Sequence, residues 1–251
     1  MIVMSENTCG ACRQNKPVFP LTMAFQPVVD LETGRIDAYE ALVRGLAGEG
    51  AAQVMGAITP ENRYQFDQAC RVKAISLAKT LGIDRRLNIN FMPNAVYEPK
   101  ACIRVTLDTA AEHGFPLDQI TFEIVEDERI SDSRHLHGII AEYRRHGFKV
   151  ALDDFASGYS GLSLLVDLKP DIIKLDRFLV RDCDTDKTRL ATVASVVVLA
   201  RELGIKVVVE GVEREAEVAA LRSVGARFMQ GFFFARPKFE AIARDDEIVW
   251  A

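Results

Sequence analysis

Five segments with helical spacing of apolar residues, 67–81, 101–113, 135–146, 189–203 and 215–224, are each followed at once by a glycine: Gly82, Gly114, Gly147, Gly204 and Gly225. Glycine tolerates the left-handed backbone that closes a helix, so each is a stop signal with a mechanism. A short apolar run begins after each stop, at 87–91, 120–125, 149–155, 206–210 and 227–234. A sixth run, 171–175, follows the short segment 162–168 and Pro170. Helices alternating with short strands predict a parallel sheet. The start differs, because 23–31 and 36–43 are both strand-like and are joined by Glu32-Thr33-Gly34-Arg35, which reads as a hairpin turn. A hairpin makes its strands antiparallel. Six later strands and this pair give eight, enough to close an α/β barrel whose first strand runs backwards, and 251 residues is a common length for one such domain.

Apolar residues make up 49% of the chain and charged residues 27%, as in an ordinary globular protein. The net charge of -5 argues against a nucleic-acid polymer as partner. No run reaches the eighteen apolar residues of a membrane span, and Met1-Ile2-Val3-Met4-Ser5-Glu6 lacks a signal-peptide profile, so a cytoplasmic location away from membranes is expected. Five cysteines do not suggest a disulfide framework in a domain of this size. Cys9-Gly10-Ala11-Cys12 has the spacing of a redox dithiol or half a zinc site, but no second CxxC or HxxxH follows. Residues 1–20 are read as a tail that bears this motif, and 21–251 as one barrel domain. The run Val196-Val197-Val198-Leu199 serves either a subunit interface or the buried side of a barrel helix.

Carboxylates interrupt the apolar runs at Glu40, Glu123, Asp153, Asp154 and Glu210. An unpaired buried acid costs several kcal/mol, so acids on separate strands imply a shared polyvalent partner. In barrels of this kind, the C-terminal strand ends build the active site, and Asn90 and Lys174 fall in the same regions as the acids. Oxygen donors without a histidine cluster suit Mg²⁺ or Mn²⁺ better than zinc. Two such ions would clamp a phosphoryl group and activate water for in-line attack.

Glu40-Ala41-Leu42 resembles the signature of the EAL domain, the bacterial cyclic di-GMP phosphodiesterase, in its longer form ending at Arg44. Further matches follow in family order: Gln26-Pro27, Asn90, Phe122-Glu123-Ile124-Val125-Glu126, Asp153-Asp154-Phe155, Lys174-Leu175-Asp176, Glu210-Gly211-Val212-Glu213 and Gln230-Gly231. The resemblance implies a modified TIM (β/α)8-type barrel that cuts cyclic di-GMP to linear pGpG with two Mg²⁺ or Mn²⁺ ions. Carried over by position, Glu40, Asn90, Glu123 and Asp153 hold one metal, and Asp153, Asp154 and Glu210 a second. Lys174 or Glu210 handles the proton of the attacking water. Gln26, Leu42, Arg44 and Gln230 contact substrate, and Glu126 anchors the loop after Asp154. The resemblance also implies a homodimer, and control by a partner chain is left open.

Three positions depart from the family pattern. Ala156 replaces the first glycine of the loop after Asp153-Asp154-Phe155, which strains that loop if its φ is positive. Met92 stands where a serine is usual, and Val125 where a threonine is. The alternative to an enzyme is a catalytically silent cyclic di-GMP receptor or interaction module, and Ala156 is the residue that supports it.

Overall fold

The computed structural model describes residues 19–125, 133–156 and 161–250. Two long strands open it, β1 (Leu21–Asp30) and β2 (Arg35–Gly45). Asp30 builds the turn between them: its carboxylate accepts from the Glu32 amide (3.0 Å) and the Thr33 hydroxyl (2.9 Å). Gly34, at φ 64°, donates its amide to the Asp30 carbonyl at 3.0 Å. The strands pair antiparallel, with Gln26 opposite Glu40.

Helices and strands then alternate. After α1 (Ala51–Met55) and α2 (Arg63–Thr80) come β3 (Arg86–Asn90), α3 (Pro99–Cys102), α4 (Arg104–His113) and β4 (Ile120–Val125). Next are α5 (Ser133–Arg145), β5 (Lys149–Phe155), α6 (Gly161–Leu168), β6 (Ile172–Leu175) and α7 (Arg177–Val180). The chain ends with α8 (Lys187–Leu203), β7 (Lys206–Val209), α9 (Glu215–Ser223), β8 (Phe228–Met229) and β9 (Lys238–Phe239). All five helix-stop glycines have positive φ. Strands β2 to β8 pair in parallel in chain order, and β8 closes antiparallel onto β1. The result is the predicted eight-stranded barrel with an antiparallel first strand, and β9 adds outside it on β1, with Ala24 opposite Phe239.

Among the helices and strands named above, α1, α7 and β9 have no counterpart in the sequence reading. The expected run 227–234 pairs only over Phe228–Met229. A Cβ on Gly231 would lie 2.0 Å from the Val212 carbonyl oxygen, so the chain turns there against β7's loop instead of continuing as a strand. On α8, Val193, Val197 and Ala200 are buried while Val198 is 54% exposed, so most of the apolar run faces the core.

One small core inside the barrel positions the site. Val28, Ala38, Ala151, Ile172 and Val208 form a buried cluster with Phe228 packed against it. Side chains two residues apart on a strand share a face. Two residues further toward the open end stand Gln26 on β1, Glu40 on β2, Asp153 on β5, Lys174 on β6, and Glu210 and Gln230 just beyond β7 and β8. On β3 and β4 the same parity sets Asn88 and Thr121 below Asn90 and Glu123. An apolar plug is thus overlaid by one polar layer. The larger core lies between the barrel wall and the helices.

Candidate active site

Lys174 is completely buried at the centre of that layer. Its ammonium lies 2.8 Å from Glu123 Oε2, 2.8 Å from Glu210 Oε1, 3.1 Å from Asp153 Oδ1 and 3.4 Å from Glu40 Oε2. Amides also donate to two of these acids. Asn90 Nδ2 donates to Glu40 Oε1 (3.1 Å), Gln230 Nε2 to Glu40 Oε2 (2.7 Å), and Asn88 Nδ2 to Glu123 Oε1 (2.8 Å). Gln230 also donates to Gln26 Oε1 at 3.2 Å, and Gln26 to the Ala235 carbonyl at 3.2 Å. The sequence reading missed Asn88. It sits two residues before Asn90, so strand parity was the signal that could have found it.

The electrostatics follow from burial and crowding. Burial pushes the Glu123 and Glu210 carboxyls well above the ordinary range, only partly offset by Lys174, and neighbouring acids push them further. Asp153 is raised for the same reason. Asp154, at the rim, is pushed up to about 6 by burial and by the charges of Asp153 and Asp176. Glu40 is the exception: burial raises it too, but Lys174, Gln230 and Asn90 together hold it low. Lys174 is opposed by burial and still held well above the usual lysine value by its four acids.

Such a layer has more negative charge than one ammonium neutralises. Like charges about 4 Å apart repel by roughly 4 kcal/mol at an effective dielectric of 20. Two trios of carboxylate oxygens converge within 4.8 Å: Glu40, Glu123 and Asp153, and then Asp153, Asp154 and Glu210. They share Asp153. Hard oxygen donors and an excess of buried negative charge fit divalent cations such as Mg²⁺ or Mn²⁺.

A cavity of about 920 Å³ opens over Glu40, Asn90, Asp153 and Asp154 and is also lined by Leu42, Arg63 and Asn94. Arg44, two residues beyond Leu42, turns its guanidinium onto the Val43 carbonyl at 2.7 Å, outside the carboxylate cluster. Asp154 and Ala156 have φ of 53° and 70°, so the position of Ala156 does require a left-handed backbone. Glu126 lies outside the described residues, as do Cys9 and Cys12. Among the described residues, Cys70, Cys102 and Cys183 form no disulfide, and no helix is long and apolar enough to cross a membrane.

Fold and site together define a mixed barrel with a cation-seeking acid layer at its C-terminal mouth. The EAL domain profile matches residues 14–237, and the chain belongs to the EAL domain family. A standalone versatile EAL protein from Vibrio cholerae O395, in its cyclic di-GMP-bound form, is 46% identical with a TM-score of 0.87, over 91% of this chain and 96% of that one. BlrP1 of Klebsiella pneumoniae, in a manganese and cyclic di-GMP complex, is 38% identical with a TM-score of 0.87, over 94% of this chain and 60% of that one. The probable cyclic di-GMP phosphodiesterase PdeN of Escherichia coli K12 is 30% identical over 91% of this chain. The chain spans 45% of PdeN and 36% of an uncharacterised Mycobacterium bovis relative, so its curated relatives are much longer.

Proposed function

We propose that this chain hydrolyses cyclic di-GMP to linear pGpG in a reaction that depends on two divalent cations. The observation that carries the reading is the pair of acid trios sharing Asp153 around the buried Lys174. Glu40, Asn90, Glu123 and Asp153 would hold one Mg²⁺ or Mn²⁺, and Asp153, Asp154 and Glu210 the other. When bound, these ions would neutralise phosphate charge and make water a stronger nucleophile at neutral pH. BlrP1 supports the ion class, having been seen with manganese and with calcium beside cyclic di-GMP.

The remaining work falls to the protein's own groups. Lys174, whose ammonium reaches Glu40, Glu123, Asp153 and Glu210, would serve as a donor that orients the attacking water. Glu210, whose carboxylate lies 2.8 Å from the Lys174 ammonium, is the group we assign to take the water's proton. Gln230 donates to Glu40 and is itself held by Gln26, and both glutamines would face the substrate. Leu42 lines the cavity, and Arg44 would leave its carbonyl partner for a phosphate, whose oxygens match the guanidinium fork. We keep Glu126 as the anchor of the loop after Asp154. A homodimer, a cytoplasmic location and control by a regulatory partner chain belong to the same reading.

One observation favours a second reading, a receptor that binds cyclic di-GMP without turnover. Ala156 strains the segment that delivers Asp153 and Asp154. The test measures binding and product together on purified protein with Mg²⁺ or Mn²⁺. Conversion to pGpG supports hydrolysis. Tight binding with no product supports the receptor, and absence of both overturns the two readings.

A further inference from the structure

Behind the barrel wall that carries Asn90 and Glu123 sits a second buried cation. Arg71 on α2 is fully buried, pairs with Asp67 at 2.6 Å and donates to the Tyr143 hydroxyl on α5 at 2.7 Å. Its guanidinium lies 5.0 Å from the centre of the Phe91 ring and 4.9 Å from that of Phe122. Phe91 follows Asn90 and Phe122 precedes Glu123, and strand alternation turns these rings outward while Asn90 and Glu123 face the barrel interior. Asn90 and Glu123 are direct register partners. Asp67 adds a backbone hold, because its second oxygen accepts the Met92 amide at 3.1 Å, two residues beyond Asn90. A buried ion pair of this kind is seldom needed for stability, since apolar residues of similar volume often replace one at no loss. Its contacts instead converge on the rung that bears two proposed metal ligands.

We infer that Arg71, with Asp67 and Tyr143, is a positioning unit that fixes β3 and β4 from behind, so that Asn90 and Glu123 present their oxygens to a divalent cation. The inference rests on the metal-dependent reading above. Its test is Mn²⁺ titration calorimetry on the full chain, with thermal melting recorded in parallel. The pair Asp67→Asn with Arg71→Met removes both charges together, so no unpaired charge is left buried, and only neutral groups such as the Tyr143 hydroxyl lose a partner. The expected result is a folded protein with a melting temperature close to wild type and an Mn²⁺ affinity about tenfold weaker, the usual scale for groups that orient ligands. Arg71→Lys falls between, because it keeps the charge and loses the planar fork. A folded double variant that binds Mn²⁺ as wild type does overturns the inference. Should the double variant fail to fold, Tyr143→Phe decides: a few-fold weaker affinity supports the unit, and an unchanged one overturns it. A wild-type protein that binds no Mn²⁺ overturns the metal-dependent reading itself, a distinct result.

Discussion

A lysine ammonium enclosed by four carboxylates both satisfies them and depends on them. Removing Lys174 leaves Glu123, completely buried, with like charges for neighbours. Lys174→Met is therefore expected to destabilise the chelator-treated protein by about 3–5 kcal/mol, the cost of orphaning buried charge. Saturating Mn²⁺ should restore most of that in denaturant melts, and a variant as stable as wild type in chelator would contradict the charge account. The same crowding sets a pH dependence. Asp154 is pushed up to about 6 by burial and by Asp153 and Asp176, against 3.8 when free, so the metal-free fold binds its proton more tightly than the unfolded chain does. Its contribution is fully present below about pH 4 and is lost as pH rises through about 6. Glu123 and Glu210 act in the same direction. Melting temperatures in chelator should fall from pH 5 to pH 7, and excess Mg²⁺ or Mn²⁺ should flatten or reverse the slope. The single acids were legible as oddities in apolar runs. Their convergence on Lys174 was not, because it depends on barrel register rather than local composition.

At the scale of elements, the segment after β5 carries the clearest strain. Ala156 at φ 70° occupies a conformation that costs an L-residue roughly 1–2 kcal/mol. Ala156→Gly is expected to stabilise the protein by about 1 kcal/mol, less the entropy glycine adds to the unfolded chain. Calorimetric melting checks this, and a lower melting temperature in the glycine variant would place the strain elsewhere. The five glycine-stopped helices were readable because each stop needs a left-handed residue, a purely local demand. Strand β8 was not. Apolar residues 232–234 look strand-like, but Gly231 packs against the Val212 backbone and the chain turns, with Phe234 going into the core. The short α1, α7 and β9 escaped for a related reason, since helices of 4–5 residues and a two-residue strand hold too few residues to show a period.

At the scale of the whole molecule, alternation of helix and strand plus one hairpin was enough to foresee a closed barrel with a reversed strand. What sequence spacing left open was the substrate; cyclic di-GMP is proposed from family resemblance, and relatives have been seen bound to it. The arrangement has a simple logic: an apolar plug below, an acid layer above it, and a cavity opening over that layer. The central claim is that this layer cuts cyclic di-GMP only when divalent ions fill it. The decisive measurement is pGpG formation by the intact chain as free Mn²⁺ is raised from a chelated buffer. No product is expected in chelator, product should rise with the ion, and Glu40→Gln should lower turnover by at least about a hundredfold through lost ion binding. Product at full rate in excess chelator, or none from folded protein at saturating Mn²⁺ and Mg²⁺, would contradict the account.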